Sequence, residues 1–199
     1  MTFRQNIARF VTGAIGLRSM PAIALLAMEQ GLDSPSLHIL AGLSVTENEF
    51  VIDKYFKDTL SELSIGLPDK RKAAIEVGLA IADEIFENKR SIFQGVKDIK
   101  EEAIDAYPFY EETKHYCYDS IGFEKVYGLF DTIDDLRNAG STQWQTDKTN
   151  QELEQELTKN LVTELKQWSV LMKNGGYHLY VKIAAEAIDT SFTITPANC

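Results

Sequence analysis

Residues 150–173, NQELEQELTKNLVTELKQWSVLMK, set Leu153, Leu157, Leu161, Leu165, Trp168 and Met172 at intervals of three or four. An α-helix turns once in about 3.6 residues, so these side chains form one apolar stripe, with Glu, Gln, Lys and Asn around the rest of the circumference. Gly175 and Gly176 follow, as residues that close a helix do. A rod of this kind buries its stripe only against other elements, and the upstream sequence offers more helices.

Residues 3–17 bring Phe3, Ile7, Phe10, Val11, Ala14 and Leu17 to one face. Ser19 is placed to cap a second helix, with Pro21 in its first turn and Gly31 past its end. The body of that helix, PAIALLAMEQG, is apolar through its middle, which predicts a buried, central element. Ser34 and Pro35 open a short helix, SPSLHILAGL, that ends near Gly42. Thr46 and Glu49 have the spacing of a capping box for a helix over 47–64. It should bury Ile52, Phe56, Thr59 or Leu60, and Leu63, and stop at Gly66 and Pro68.

Asp69 begins a helix reaching Phe86, with Ile75, Leu79, Ala82 and Ile85 or Phe86 inward. Ser91 caps another that runs to Ala106 before Pro108 breaks it. Residues 109–138 read as two helical pieces with Gly122 as the weak point, and 138–150 as a loop. Residues 177–199 fit a final helix, or a short strand or extended tail at the β-branched SFTIT. The chain therefore reads as all-α: one helical domain over 1–199, a bundle or irregular array of seven to nine helices. Its long members would be 47–64, 70–87 and 150–173.

Hydrophobic residues make up 44% and charged residues 25% of the 199, the balance of a globular protein with a sizeable core. The net charge of −10 argues against free nucleic acid, which is held by clustered Lys and Arg, and favours a basic protein partner. Two cysteines, Cys117 and Cys199, do not make a disulfide framework and fit a reducing compartment. The N-terminal apolar stretch lies between Arg9 and Arg18 and is weak as a leader, and no run approaches a membrane span. These features predict a cytoplasmic protein with no membrane partner.

Chemistry-bearing residues concentrate in EETKHYCYD, residues 111–119. On a helix Glu111, His115 and Asp119 share a face, and Glu112 with His115 forms Glu-x-x-His. Di-iron bundles use that motif twice, and it occurs here once. Glu111, Glu112, His115 and Asp119 are thus the candidate metal ligands, against a plain solvated helix face. Cys117 has no His on its own helical face to activate it, so a catalytic pair would need His38 or His178 to arrive in space. Asp131, Asp134 and Asp135 in DTIDDLR suit either Mg²⁺ or an exposed face. No G-x-S-x-G, P-loop, dinucleotide fingerprint or H-E-x-x-H is present, and no cofactor is implied. Tyr107, Phe109, Tyr110, Tyr116 and Tyr118, with Trp144 in the following loop, form an aromatic set of the kind interfaces use.

The segment GLDSPSLHILAGLSVTENEFVIDKYFKDTLSELSIGLP, residues 31–68, resembles a group of small uncharacterised bacterial helical proteins. That group carries an LDSxxLRxLAGL element, an acidic stretch and F…AL.ELG…P. His38 stands at the pattern's Arg position, and Ser64 at the place before Gly. The resemblance implies a bacterial origin and supplies no catalytic residues. Leu37, Leu40 and Leu43 would wedge a short helix between longer ones, with Gly42 allowing a turn or a close approach.

The expected function is non-catalytic: an acidic interaction protein, in one version an immunity- or antitoxin-like protein covering a basic partner. Two alternatives compete. One is a metal-dependent helical-bundle hydrolase using His115 with Glu111, Glu112 or Asp119. The other is a small-molecule-binding helical domain with 21–30 lining a pocket.

Overall fold

A computed structural model describes residues 1–112, 120–139 and 148–175. Among these the chain is all-α, with nine α-helices and no strand: α1 (Phe3–Thr12), α2 (Met20–Glu29), α3 (Pro35–Gly42), α4 (Glu49–Glu62), α5 (Lys70–Phe86), α6 (Ile92–Ile99), α7 (Phe109–Glu112), α8 (Glu124–Ala139) and α9 (Asn150–Lys173). A 3₁₀ turn, Leu17–Ser19, precedes α2, and a π-helical turn, Lys100–Ile104, follows α6. No helix of the described residues is long and apolar enough to cross a membrane. Residues 177–199, expected to form a final helix, a short strand or an extended tail, lie outside the described residues.

Local punctuation explains most of these boundaries. Ser34 and Ser91 each accept a backbone N–H, from Leu37 and Gln94, and so start α3 and α6. Thr149 and Glu152 form a full capping box at the head of α9. α1 is shorter than its apolar pattern because Gly13 takes a left-handed conformation (φ +87°) and ends it at Thr12.

Other boundaries differ from expectation. α4 is capped by Asn48, whose Oδ1 accepts Phe50 N–H at 2.9 Å, and Thr46 is not its cap. Glu49 cannot reach back to Thr46, because its carboxylate pairs with Arg18 at 2.8 Å. At the other end of α4 the left-handed residue is Ser64 (φ +52°), two residues before the expected Gly66, and Ile65 N–H closes on Leu60 O. Ser19 makes no side-chain cap, since the 3₁₀ turn runs directly into α2. α6 does not continue to Ala106; its α-helical bonding stops at Ile99, where the π turn begins.

The chain forms two compact units. The first comprises Met1–Ala80 and Glu101–Tyr107. Its core joins Phe3 and Ile7 of α1, Met20, Ile23, Ala24 and Ala27 of α2, Leu37 and Leu40 of α3, and Ile52, Phe56 and Leu60 of α4. Phe10 meets the Phe56 ring edge-on at 5.2 Å. Fully burying such a side chain contributes about 1.5–3 kcal/mol, which is what holds the short helices α1–α3 in place. Arg9 grips Glu102 of the π turn through two hydrogen bonds, 2.7 and 2.9 Å, joining residues far apart in sequence.

The second unit comprises Ile81–Lys100 and Pro108–Cys199. Its buried residues include Ile85, Val96, Ile99, Phe109, Ile121, Phe123, Ile133 and Leu136. The α9 stripe is sealed in its C-terminal half, at Leu161, Leu165, Trp168 and Met172, while Leu153 and Leu157 stay half-exposed. Phe123 packs edge-on against Trp168 at 5.1 Å. At Gly95 a Cβ would fall 2.3 Å from Ile85 Cδ1, so α6 approaches Ile85 more closely than any other residue would allow. The faces expected of α5 are half right. Ala82 and Ile85 are buried as expected, while Ile75 and Leu79, in the first unit's part of the helix, are partly exposed, and Ala73, Ala74 and Val77 are buried there instead.

Candidate functional site

Of the aromatic set, Tyr107 ends the first unit half-buried, Phe109 is a core residue of the second (1% exposed), and Tyr110 is open to solvent at 60%. Tyr116, Tyr118 and Trp144 lie outside the described residues, as do His115, Asp119, Cys117 and His178. Of the candidate metal ligands, Glu111 and Glu112 are therefore the placed pair, both exposed on α7. The Glu112 carboxylate accepts a hydrogen bond from the Ser120 hydroxyl, and the Ser120 N–H donates to Phe109 O at 3.2 Å. Residues 112 and 120 are thus tied together by a fully buried serine.

In the second unit, α8 groups three acids within five residues. Asp131, Asp134 and Asp135 are all exposed, and at spacings of three and four they lie on one helix face. Their carboxylates make no hydrogen bond or ion pair with any described residue. The local sequence explains this. Within three or four residues the sole cation is Arg137, and it is committed elsewhere. Its guanidinium donates twice to Glu154 Oε1, at 2.8 and 2.6 Å, and lies 3.6 Å from the centre of the Phe93 ring. Buried Ile133 and Leu136 on the opposite side fix the helix so that the three aspartates point outward. Asp131 and Asp135 are a like-charged i, i+4 pair, which costs rather than contributes stability, about 0.2–0.5 kcal/mol. No group of three or more potential metal ligands converges among the described residues.

The first unit shows a different surface. Leu25 and Leu26 on α2, Ile39 on α3, and Val45 and Phe50 at the head of α4 are exposed, Phe50 to 86%. α2 is accordingly buried on one side through Met20, Ile23, Ala24 and Ala27 and is not covered all round, as its composition had suggested. Arg18 fixes the chain beside Phe50 by bonding Glu49 at 2.8 Å and Val45 O at 3.2 Å.

Sequence reasoning weighed Asp131, Asp134 and Asp135 as metal ligands or as a solvated face. It missed that all three are bare among the described residues, as the more scattered Glu29, Glu111 and Glu164 also are. The absence of a cation at i±4 was a partial signal, since Arg137 stands at i+3 from Asp134 and its commitment to Glu154 is set by the fold. Comparison with known proteins gives no matching family model, no similar curated protein and no similar solved structure.

Proposed function

We propose that the chain is a non-catalytic interaction protein that covers a basic protein partner through the outer face of α8, in the manner of an immunity protein or antitoxin. The observation that carries this reading is the unpaired triad Asp131, Asp134 and Asp135, held outward on a well-anchored helix. An anionic face with no counter-ion among the described residues keeps its field for an approaching molecule. Such a field raises association rates with a cationic surface and weakens over a Debye length of about 8 Å at physiological salt. The overall charge of −10 acts in the same direction. Tyr110, exposed in the same unit, is the type of residue that anchors such contacts.

The test is recovery of the protein from its native host by mild crosslinking, beside the variant D131N/D134N/D135N. The expected result is a single basic partner whose association slows about tenfold or more with the variant and with rising salt, as steered encounters do. Recovery of the lone chain at every salt concentration, or a partner that binds wild type and variant equally fast, would overturn the reading.

A further inference from the structure

Within the second unit, α5 gives way to α6 across a tight turn, with Asn88 left-handed (φ +57°) and Lys89 N–H closing on Glu84 O. Beside α9 this turn forms an open cleft of about 590 Å³. Its lining combines apolar side chains, chiefly Phe86, Ile92 and Val162, with the neutral Asn88 and Ser91 and the cations Lys89, Arg90 and Lys166. That is a notable concentration of positive charge in a chain whose net charge is −10. The volume is in the range of small-molecule sites, about 300–1,000 Å³.

The three cations are not equivalent. Arg90 donates to Glu84 at 2.9 Å and to Asp98. Burial opposes its charge, but the bonds and charge of Glu84, then of Asp98, outweigh burial and hold its pKa above the usual value. Its fork is committed, so Arg90 shapes the turn and is not the ligand-binding group. Lys89 bonds Glu87 at 2.6 Å, and that hydrogen bond, then the charge of Glu87, raises its pKa. Both partners of this pair are well exposed, at 68% and 57%, so an incoming anion displaces Glu87 at little cost. Lys166 makes no ion pair or hydrogen bond with any described residue.

We propose that this cleft binds a small organic anion: one phosphate or carboxylate head held by Lys166 and Lys89, on an apolar body that lies against Phe86, Ile92 and Val162. An inorganic ion would use the ammonium groups and leave the apolar wall wet. A neutral apolar molecule would leave Lys166 without a counter-charge. A molecule carrying both parts satisfies the cleft. The site is independent of the α8 face and of the partner proposed for it, since it takes a ligand of the same sign as that face.

The test is titration of the full ¹⁵N-labelled chain at constant ionic strength with phenyl phosphate, 3-phenylpropionate, inorganic phosphate and benzyl alcohol. Amide shifts are expected over residues 86–92 and 162–166 with one or both of the first two probes, and the stronger of them identifies the head group. Inorganic phosphate and benzyl alcohol should bind more weakly than the stronger organic anion. The variant K166Q should weaken binding about tenfold, the loss expected when one charged partner is removed. K159Q, on the same helix but outside the cleft, should change nothing. The proposal is overturned if no probe shifts those residues, if K166Q binds as tightly as wild type, or if inorganic phosphate or benzyl alcohol binds as tightly as the stronger organic anion.

Discussion

Helices α4 and α8 are both acidic on their exposed sides, yet they treat their carboxylates in opposite ways. On α4, Asp53 meets Lys57 at 2.6 Å and Asp58 meets Lys54 at 3.5 Å, both at i, i+4, while Glu49 meets Arg18. Glu62, at its end, accepts the Ser36 N–H at 2.9 Å and the Ser36 hydroxyl at 2.7 Å, and so satisfies the first turn of α3. On α8 the residue at i+4 from Asp131 is another aspartate. Exposed pairs are worth little individually, about 0.3–0.5 kcal/mol, so the two helices differ modestly in stability. They differ much more in the field they present. On α4 three of four acids meet a cation and the fourth, Glu62, is hydrogen-bonded, whereas α8 presents three acids with no cation bonded to them among the described residues. The first unit shows solvent apolar side chains, Phe50 foremost, and the second shows it unpaired acid.

The comparison requires that both units rest on equally sealed cores, so that the surface difference is not a consequence of loose packing. Phe56→Ala in the first unit should cost about 3–5 kcal/mol, and Leu165→Ala in the second about 2–5 kcal/mol, by transfer loss plus cavity. Both residues are essentially inaccessible, at 1% and 0% exposed. Leu153→Ala, at the half-exposed end of the same stripe, should cost under about 1 kcal/mol, in proportion to the smaller area it buries. Urea unfolding monitored by circular dichroism reads all three. A Leu165→Ala as mild as Leu153→Ala would mean that α9 is not sealed against its unit, and the comparison between the helices would fail.

How much of this was readable in the sequence follows from the range of each interaction. The α9 stripe, the serine caps of α3 and α6, and the weak point at Gly122 (φ +74°) are local signals and were legible. Ser64 and Asn88 were not, because their left-handed conformations occur at positions where glycine is the expected residue. Gly42 was given a role that its surroundings do not require, since a Cβ there would meet nothing within 4 Å. Arg18–Glu49, which removed Glu49 from the capping box, and Arg9–Glu102 join residues 31 and 93 apart. No periodicity encodes such pairs. The α8 acids were visible as a run, but whether they were bare depended on Arg137 having been taken by Glu154 and Phe93, which is a tertiary fact.

A second way to sharpen the comparison uses pH. The Glu62 carboxyl is held below its ordinary value of 4.5, chiefly by the Ser36 hydroxyl and then by the Ser36 N–H. A carboxyl whose folded pKa is depressed adds stability above the unfolded pKa and loses it as pH falls through the folded one. Glu62→Gln should therefore destabilise the protein at pH 7, and the gap from wild type should close as pH falls from 4.5 toward the folded pKa. Asp134→Asn, on α8, has no bonded carboxyl to lose and should show no such closing gap. Stability measured by urea at pH 7 and near pH 3.5 would distinguish them. A gap for Glu62→Gln that stays constant across that range would mean its carboxylate is not what tethers α3 to α4.

The smallest expected effect addresses the proposed purpose of α8 most directly. Replacing Asp131, Asp134 and Asp135 with Asn removes the like-charge repulsion along that face and leaves helix propensity nearly unchanged, because Asp and Asn rank together. The triple variant should be as stable as wild type or more so, by up to about 0.5 kcal/mol at low ionic strength, and the gain should shrink as salt screens the repulsion. A mutation set that stabilises the fold while slowing partner association means that the bare acids serve an encounter at the expense of the fold. If the variant instead loses 1 kcal/mol or more, roughly the scale of a lost hydrogen bond, the aspartates hold α8 in place. They would then be structural like the paired acids of α4, and the contrast between the two helices would disappear.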